Sequence, residues 1–217
     1  MNRQAHVKLF AVAAMGGCAA VASGDVMIFT DRASWEAAVG GAPIATEDFN
    51  SIATGGIAGG ATLDTGIIQI TRDGSPNGAD GDLAISPGTT FGDIDGTNFL
   101  DGETGEDPHE RVEFGFNGQS IFAFGADFSS PFSGDGIGIQ VNNDDIFLVD
   151  TISGFDTGFF GIVASSGTFS DVAIVGNPAD DVFQELWQAD NVSYAVPTPG
   201  SAGLLACAGL IAARRRR

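Results

Sequence analysis

Cysteine, lysine, histidine and tyrosine are nearly missing from this chain. Its 217 residues include two Cys, two His and one Tyr, and Lys8 is the single lysine. Two cysteines cannot make a disulfide scaffold. Bases of every kind are scarce, nine Lys and Arg against 28 Asp and Glu, for a formal net charge of −19. No basic footprint exists to meet phosphates, which excludes a nucleic-acid partner. No serine nucleophile elbow, phosphate loop or zinc-ligand spacing is present either. What the chain does have is 32 glycines, 17 phenylalanines and 43% apolar residues. Glycine is at about twice its usual ~7% share, so tight turns are frequent. The apolar content suffices for a packed core and argues against wholesale disorder.

The scarce bases gather at the two ends. Arg3 and Lys8 precede an uncharged apolar run from Leu9 to Val21, and Ala20-Val21-Ala22 offers a small-x-small cleavage site. That is the pattern of a secretory signal peptide over residues 1–24, with Ala20 and Ala22 flanking the cut. At the other end, Val196-Pro197-Thr198-Pro199-Gly200 breaks any strand, because proline cannot donate to a ladder. The run from Ser201 to Ala213 is small and apolar, and Arg214, Arg215, Arg216 and Arg217 close the chain. A helix over residues 200–213 is only about 21 Å long, short for a hydrocarbon core of about 30 Å. Snorkelling arginines make marginal insertion workable, and a cytoplasmic Arg cluster obeys the positive-inside rule. Residues 196–217 thus read as a sorting tail with a C-terminal membrane helix.

This tail resembles that of the PEP-CTERM class of bacterial exported proteins. The resemblance rests on the Pro-x-Pro frame of Pro197, Thr198 and Pro199, with Thr198 where Glu is usual, then the short apolar helix and the Arg cluster. It implies an exosortase, an intramembrane cysteine transpeptidase, as the processing partner. It also implies transient anchoring in the inner membrane, followed by delivery to the cell surface or extracellular space.

With both ends removed, Arg32, Arg72 and Arg111 are the only Lys or Arg left to face all 28 acids. Cys18, Cys207 and Lys8 go too, so thiol and Schiff-base chemistry are excluded from the body. So many carboxylates repel one another, and divalent cations or salt relieve that repulsion.

The body, residues 25–195, reads as one all-β domain, an antiparallel β-sandwich with one short N-terminal helix. Val26-Met27-Ile28-Phe29 is a strand. Asp31 to Val39 is the helix, capped by Asp31 and ended by Gly40-Gly41, with Trp35, Ala38 and Val39 on one face. Period-two alternation follows. Ile68 and Ile70 share a face, as do Val112, Phe114 and Phe116; Phe122, Phe124, Ala126 and Phe128; and Ile137, Ile139 and Val141. Ile146 to Val149, Phe159 to Val163, Val172 to Val175 and Val192-Tyr194-Val196 complete the set. Asn142-Asn143-Asp144-Asp145 reads as a hairpin turn. Segments 50–66 and 73–107, rich in Gly and acids, read as long loops.

Several acid-rich stretches are candidate cation sites. Asp73-Gly74-Ser75-Pro76-Asn77-Gly78 places oxygen donors at positions 1, 3 and 5 before a turn glycine, like the first half of a calcium loop. Asp80 and Asp82 follow, but Ala84 stands where the loop needs a bidentate Glu, which excludes an EF-hand. A second stretch holds Asp93, Asp95, Asp101, Glu103, Glu106 and Asp107. For both, a solvated Gly/Asp turn is the competing reading. Asp190 has the sequence parity of Val192 and Tyr194, which points it inward, and a buried carboxylate needs a partner.

Through Glu47-Asp48-Phe49 and Asp190-Asn191-Val192-Ser193-Tyr194, the body is similar to the jelly-roll, carbohydrate-binding-like domains that often precede such a tail. That likeness implies a structural calcium shared between an acid beside the first strand, Asp48, and one on the last, Asp190. It also implies polysaccharide as a partner. Trp35 and Trp187 could stack on sugar rings or lie in the core.

The rival reading is a secreted hydrolase. Any two of 28 acids could serve a glycosidase, and nothing selects a pair. Asp64-Thr65-Gly66 and Asp156-Thr157-Gly158 echo aspartic proteases, yet the residues that follow, Ile67 and Phe159, are neither Ser nor Ala. Such triplets also simply end loops. His109, within Glu106-Asp107-Pro108-His109-Glu110, reads as a solvated loop residue. The sequence therefore favours a non-catalytic exported protein that binds calcium and polysaccharide.

Overall fold

The computed structural model describes residues 26–72, 83–90, 92–104, 111–129, 137–142, 146–149, 157–176 and 185–197. The sequence candidates Ala20, Ala22, Asp73, Asn77, Asp80, Asp82, His109, Asp156, Thr198, Pro199 and Arg214 to Arg217 lie outside them. Among the described residues, no helix is long and apolar enough to cross a membrane.

In chain order the elements are β1 (Val26–Phe29), α1 (Arg32–Val39), β2 (Ile44–Glu47), β3 (Gly55–Gly56), β4 (Thr62–Asp64), β5 (Gln69–Arg72), β6 (Leu83–Ser86) and β7 (Phe99–Thr104). They continue with β8 (Val112–Gly115), β9 (Ala123–Ser129), β10 (Ile137–Val141), β11 (Ile146–Leu148), β12 (Thr157–Ala164), β13 (Val172–Gly176) and β14 (Glu185–Ala195). One sheet runs β1-β12-β9-β14-β7-β6-β3, with β2 also paired to β14. The other runs β11-β10-β13-β8-β5-β4. Every pairing is antiparallel.

The period-two pattern explains the inner face. Ile70, Val112, Phe114, Ile139, Val172 and Ile174 of the six-stranded sheet join Leu100, Phe124, Ala126, Phe128, Trp187 and Val192 of the eight-stranded one in a single buried cluster. Phe114 and Phe124 meet across the gap at 5.4 Å.

The helix covers part of the outer face of the eight-stranded sheet. Asp31 accepts from Ser34 N at 2.8 Å, and Gly40 ends the helix at φ 71°. Trp35 and Val39 pack on Phe29, Ala123, Phe159, Val163 and Ala195. Trp35 Nε1 donates to Ile162 O at 3.1 Å. A Cβ at Gly161 would lie 2.6 Å from Trp35 Cδ1, so only glycine lets the indole sit this close to the sheet.

Two expectations need correction, and one alternative left open by the sequence is decided. The supposed loops 50–66 and 73–107 contain β3, β4, β6 and β7. Strand β7 reads Phe-Leu-Asp-Gly-Glu-Thr, a poor strand sequence by propensity, yet Trp187 packs where a Cβ on Gly102 would stand, 2.3 Å from its Cζ2. Phe122 precedes β9 and packs with the helix-side cluster, not with Phe124. Trp35 and Trp187 are both fully buried, so neither can stack on a sugar.

Candidate functional site

Strand β14 changes partner along one edge. Residues 185–189 pair with β7, and residues 192–195 pair with β2. On its other edge, β9 meets Asp190 at Asp127 and Ser193 at Gly125, three steps against two, so the strand bulges. Asn191 takes the extra step at φ 50°, a backbone setting Asn tolerates better than most residues. Ala189 and Val192 both face the inter-sheet core. The bulge therefore turns Asp190 to the outer face, beside Asp127 and Gln188, against the inward parity read from sequence.

A knot of polar groups fixes the bulge to the helix. Arg32 donates to Asp127 Oδ2 at 2.9 Å, to Asn191 O at 3.1 Å and to Ser193 Oγ at 3.1 Å. Its guanidinium also lies 4.7 Å from the Phe159 ring centre. Asn191 Nδ2 donates to Asp127 Oδ2 at 3.1 Å, and Ser193 Oγ lies 3.0 Å from Thr46 Oγ1. Arg32 thus pairs with Asp127.

Asp190 has no such cation. Its residue is fully buried; Oδ1 accepts from Asn191 N at 2.6 Å, and Oδ2 has no partner. Burial pushes its carboxyl up to about 7, and the charges of Asp95, Asp127 and Asp48 push the same way against the Asn191 hydrogen bond. Two residues back on the same face, Gln188 donates to Asp101 Oδ1 at 2.9 Å, and Ser86 donates to Asp101 Oδ2 at 3.1 Å. Gln188 Oε1 is buried without a partner, under Gly92. Two unsatisfied acceptor oxygens therefore stand side by side on one strand face, about 7 Å apart at the Cα level.

Two turns approach this point from the hand-over between β7 and β2. Asn98 N donates to Asn50 Oδ1 at 3.3 Å, and Asn98 Nδ2 to Ile52 O at 3.2 Å, which ties them together. Asp48, Asp93 and Asp95 are exposed there. Asp48 Oδ1 accepts from Asn50 N at 3.1 Å, Asp93 Oδ1 from Gly96 N at 2.6 Å and Asp95 Oδ1 from Thr97 N at 3.0 Å. Each carboxylate uses one oxygen on its own turn. Among the described residues, no three or more His, Cys, Asp or Glu side chains converge closely enough to hold a metal ion.

So Asp48, Asp95 and Asp190 share one neighbourhood, as an electrostatic cluster and not as a closed ligand shell. At its centre stand a carboxylate oxygen of Asp190 and the amide oxygen of Gln188, both buried without a partner. Asp101 and Glu103 belong to β7, not to a loop. Sequence reasoning missed Arg32, Asp127 and Gln188 as parts of this site, because only the register of β14 brings them together. Asp64-Thr65-Gly66 proves to be a turn. Asp64 Oδ1 accepts from Gly66 N at 2.9 Å, and Thr65 Oγ1 accepts from Ile68 N at 3.1 Å.

No family model matches the chain, and no curated protein matches it. Among solved structures, one match is a mutant of the family 29 carbohydrate-binding module CBM29-2. It is 17% identical, with 66% of this chain and 91% of that chain covered and a TM-score of 0.36.

Proposed function

We propose that this chain is an exported, non-catalytic β-sandwich whose body takes up a divalent cation, calcium by donor type, at Asp190. The reading is carried by Asp190 Oδ2, a carboxylate oxygen buried without a partner. An uncompensated buried charge is costly, and a hard cation is the partner that satisfies it. Gln188 Oε1 and the free oxygens of Asp48 and Asp95 are the further donors within the neighbourhood. Calcium pins the turns carrying Asp48 and Asp95 onto the bulge, and so shapes the exposed rim of Asp48, Asn50, Asp93 and Asp95. A polysaccharide meets that rim through hydroxyl hydrogen bonds, since both tryptophans are in the core. The signal peptide and the Pro-x-Pro tail deliver the body through an exosortase-type enzyme to the cell surface or beyond.

Thermal melting of the chain with millimolar calcium, against chelator, tests the cation. A rise in Tm that disappears in Asp190→Asn is expected, and an unchanged Tm overturns the reading. Retention on immobilised polysaccharides, lost on chelation, is the matching test for the glycan.

A further inference from the structure

Charge is distributed along the body with a conspicuous gap. Residues 26–30, 37–46, 114–126, 157–170 and 191–197 contain no Asp, Glu, Lys or Arg, in a chain with 28 acids. The fold brings one end of each of these segments together. Val26 pairs with Ala164; Ala164 N donates to Phe122 O at 2.7 Å; Phe122 N donates to Ala195 O at 3.0 Å; and Ala195 pairs with Ile44. Among the described residues, the result is a continuous uncharged rim along one end of the eight-stranded sheet. Met27, Ala38, Ala42, Ile44 and Phe122 stay partly exposed beside it. On the other sheet this end carries Asp64 and Asp171, so the uncharged zone belongs to the eight-stranded sheet.

Both chain continuations leave from the same rim. Val26 on β1 and Val196 after β14 are separated by the strand order β1-β12-β9-β14, three spacings or about 15 Å. The apolar run before β1 and the one after Pro197 therefore start from one face of the body. Acids elsewhere repel an anionic bilayer surface; among the described residues this rim has none, and Asp25, next to Val26, is the acid nearest to it in sequence. Partly exposed Met, Ile and Phe are the side chains that settle at a lipid interface.

The geometry points to this rim as a lipid-facing surface: the tethered body stands on the bilayer with the β1/β12/β9/β14 end down and the Asp190 site held away from it. The inference rests on the membrane tether proposed above and adds the orientation.

Fluorescent labels at the two ends of β12 test it. Ser166→Cys lies just past the rim end and Thr157→Cys at the opposite end; both positions are exposed, and the strand spans about 23 Å between them. Each is made in the full chain carrying Cys18→Ser and Cys207→Ser, then reconstituted into phosphatidylglycerol-containing vesicles whose lipids carry a quencher near the headgroup. Several-fold stronger quenching at 166 than at 157 is expected. Equal quenching, or none at either label, in chain that floats with the vesicles overturns the orientation and leaves the tether standing. Label self-quenching at 166 without lipid quenching also overturns it, and marks a second copy as the occupant. Chain that does not float with the vesicles overturns the tether and the orientation together.

Discussion

Asp190 gives the body a pH dependence whose sign depends on the cation. Its carboxyl is pushed from an ordinary value near 3.8 up to about 7, so the fold favours the protonated acid. This favour is fully present below the unfolded value and is lost as pH rises through the folded one. In chelator, stability should therefore fall between about pH 4 and pH 7 by about 1–3 kcal/mol from this group. Asp190→Asn should flatten that slope and stabilise the cation-free protein at pH 7.5. Calcium should reverse the trend, because it binds the carboxylate form. Denaturant titrations at pH 4.5 and 7.5, with and without calcium, check all three. An Asp190→Asn protein that keeps the wild-type slope would place the titration elsewhere. The residue itself was legible in sequence as a buried acid in need of a partner. Its direction was not, because a bulge at Asn191 is invisible to a parity count.

Among the elements, α1 and β14 depend on each other through one side chain. Arg32, at the first turn of the helix, holds the bulge through three hydrogen bonds, two of them to the β14 segment and one to Asp127. Its ion pair is about a quarter exposed, which weakens the Coulombic part. Arg32→Ala should still cost about 1.5–3 kcal/mol, since Asp127 and Asn191 O lose a charged donor together. Arg32→Lys should recover only part of that, because an ammonium cannot span three acceptors in a plane. Chemical denaturation of both variants reads the difference.

The strands most legible in sequence were those with clean alternation, such as β8 and β10. Strands β6 and β7 were lost among glycines and acids. Gly102 is the case that shows why: it weakens the local strand signal because Trp187 needs its space, a fact known only once β7 and β14 are paired. Gly102→Ala should cost about 1–3 kcal/mol in thermal melts, since the indole is fully enclosed and cannot retreat.

Across the whole molecule, three arginines face 28 acids once both ends are removed. Self-repulsion then works against the compact state, and salt screens it. Raising sodium chloride from about 10 mM to about 0.5 M, which shortens the Debye length from about 30 Å to under 5 Å, should raise Tm in chelator. Tm independent of salt would mean that the acids already sit beyond each other's reach. A small further rise on adding calcium at high salt would separate specific uptake from general screening. The sandwich class and the acidic character followed from composition and alternation alone. The uncharged rim did not, because its five segments are scattered through the chain and meet only in the β1-β12-β9-β14 order.

That strand order also leaves the body nearly ready to be closed into a ring. A gap of about 15 Å is within reach of roughly five extended residues. A short peptide joining Val196 to Val26, with the backbone opened in the exposed Ser165–Thr168 loop, would give a permuted scaffold with the same sheets and a relocated point of attachment.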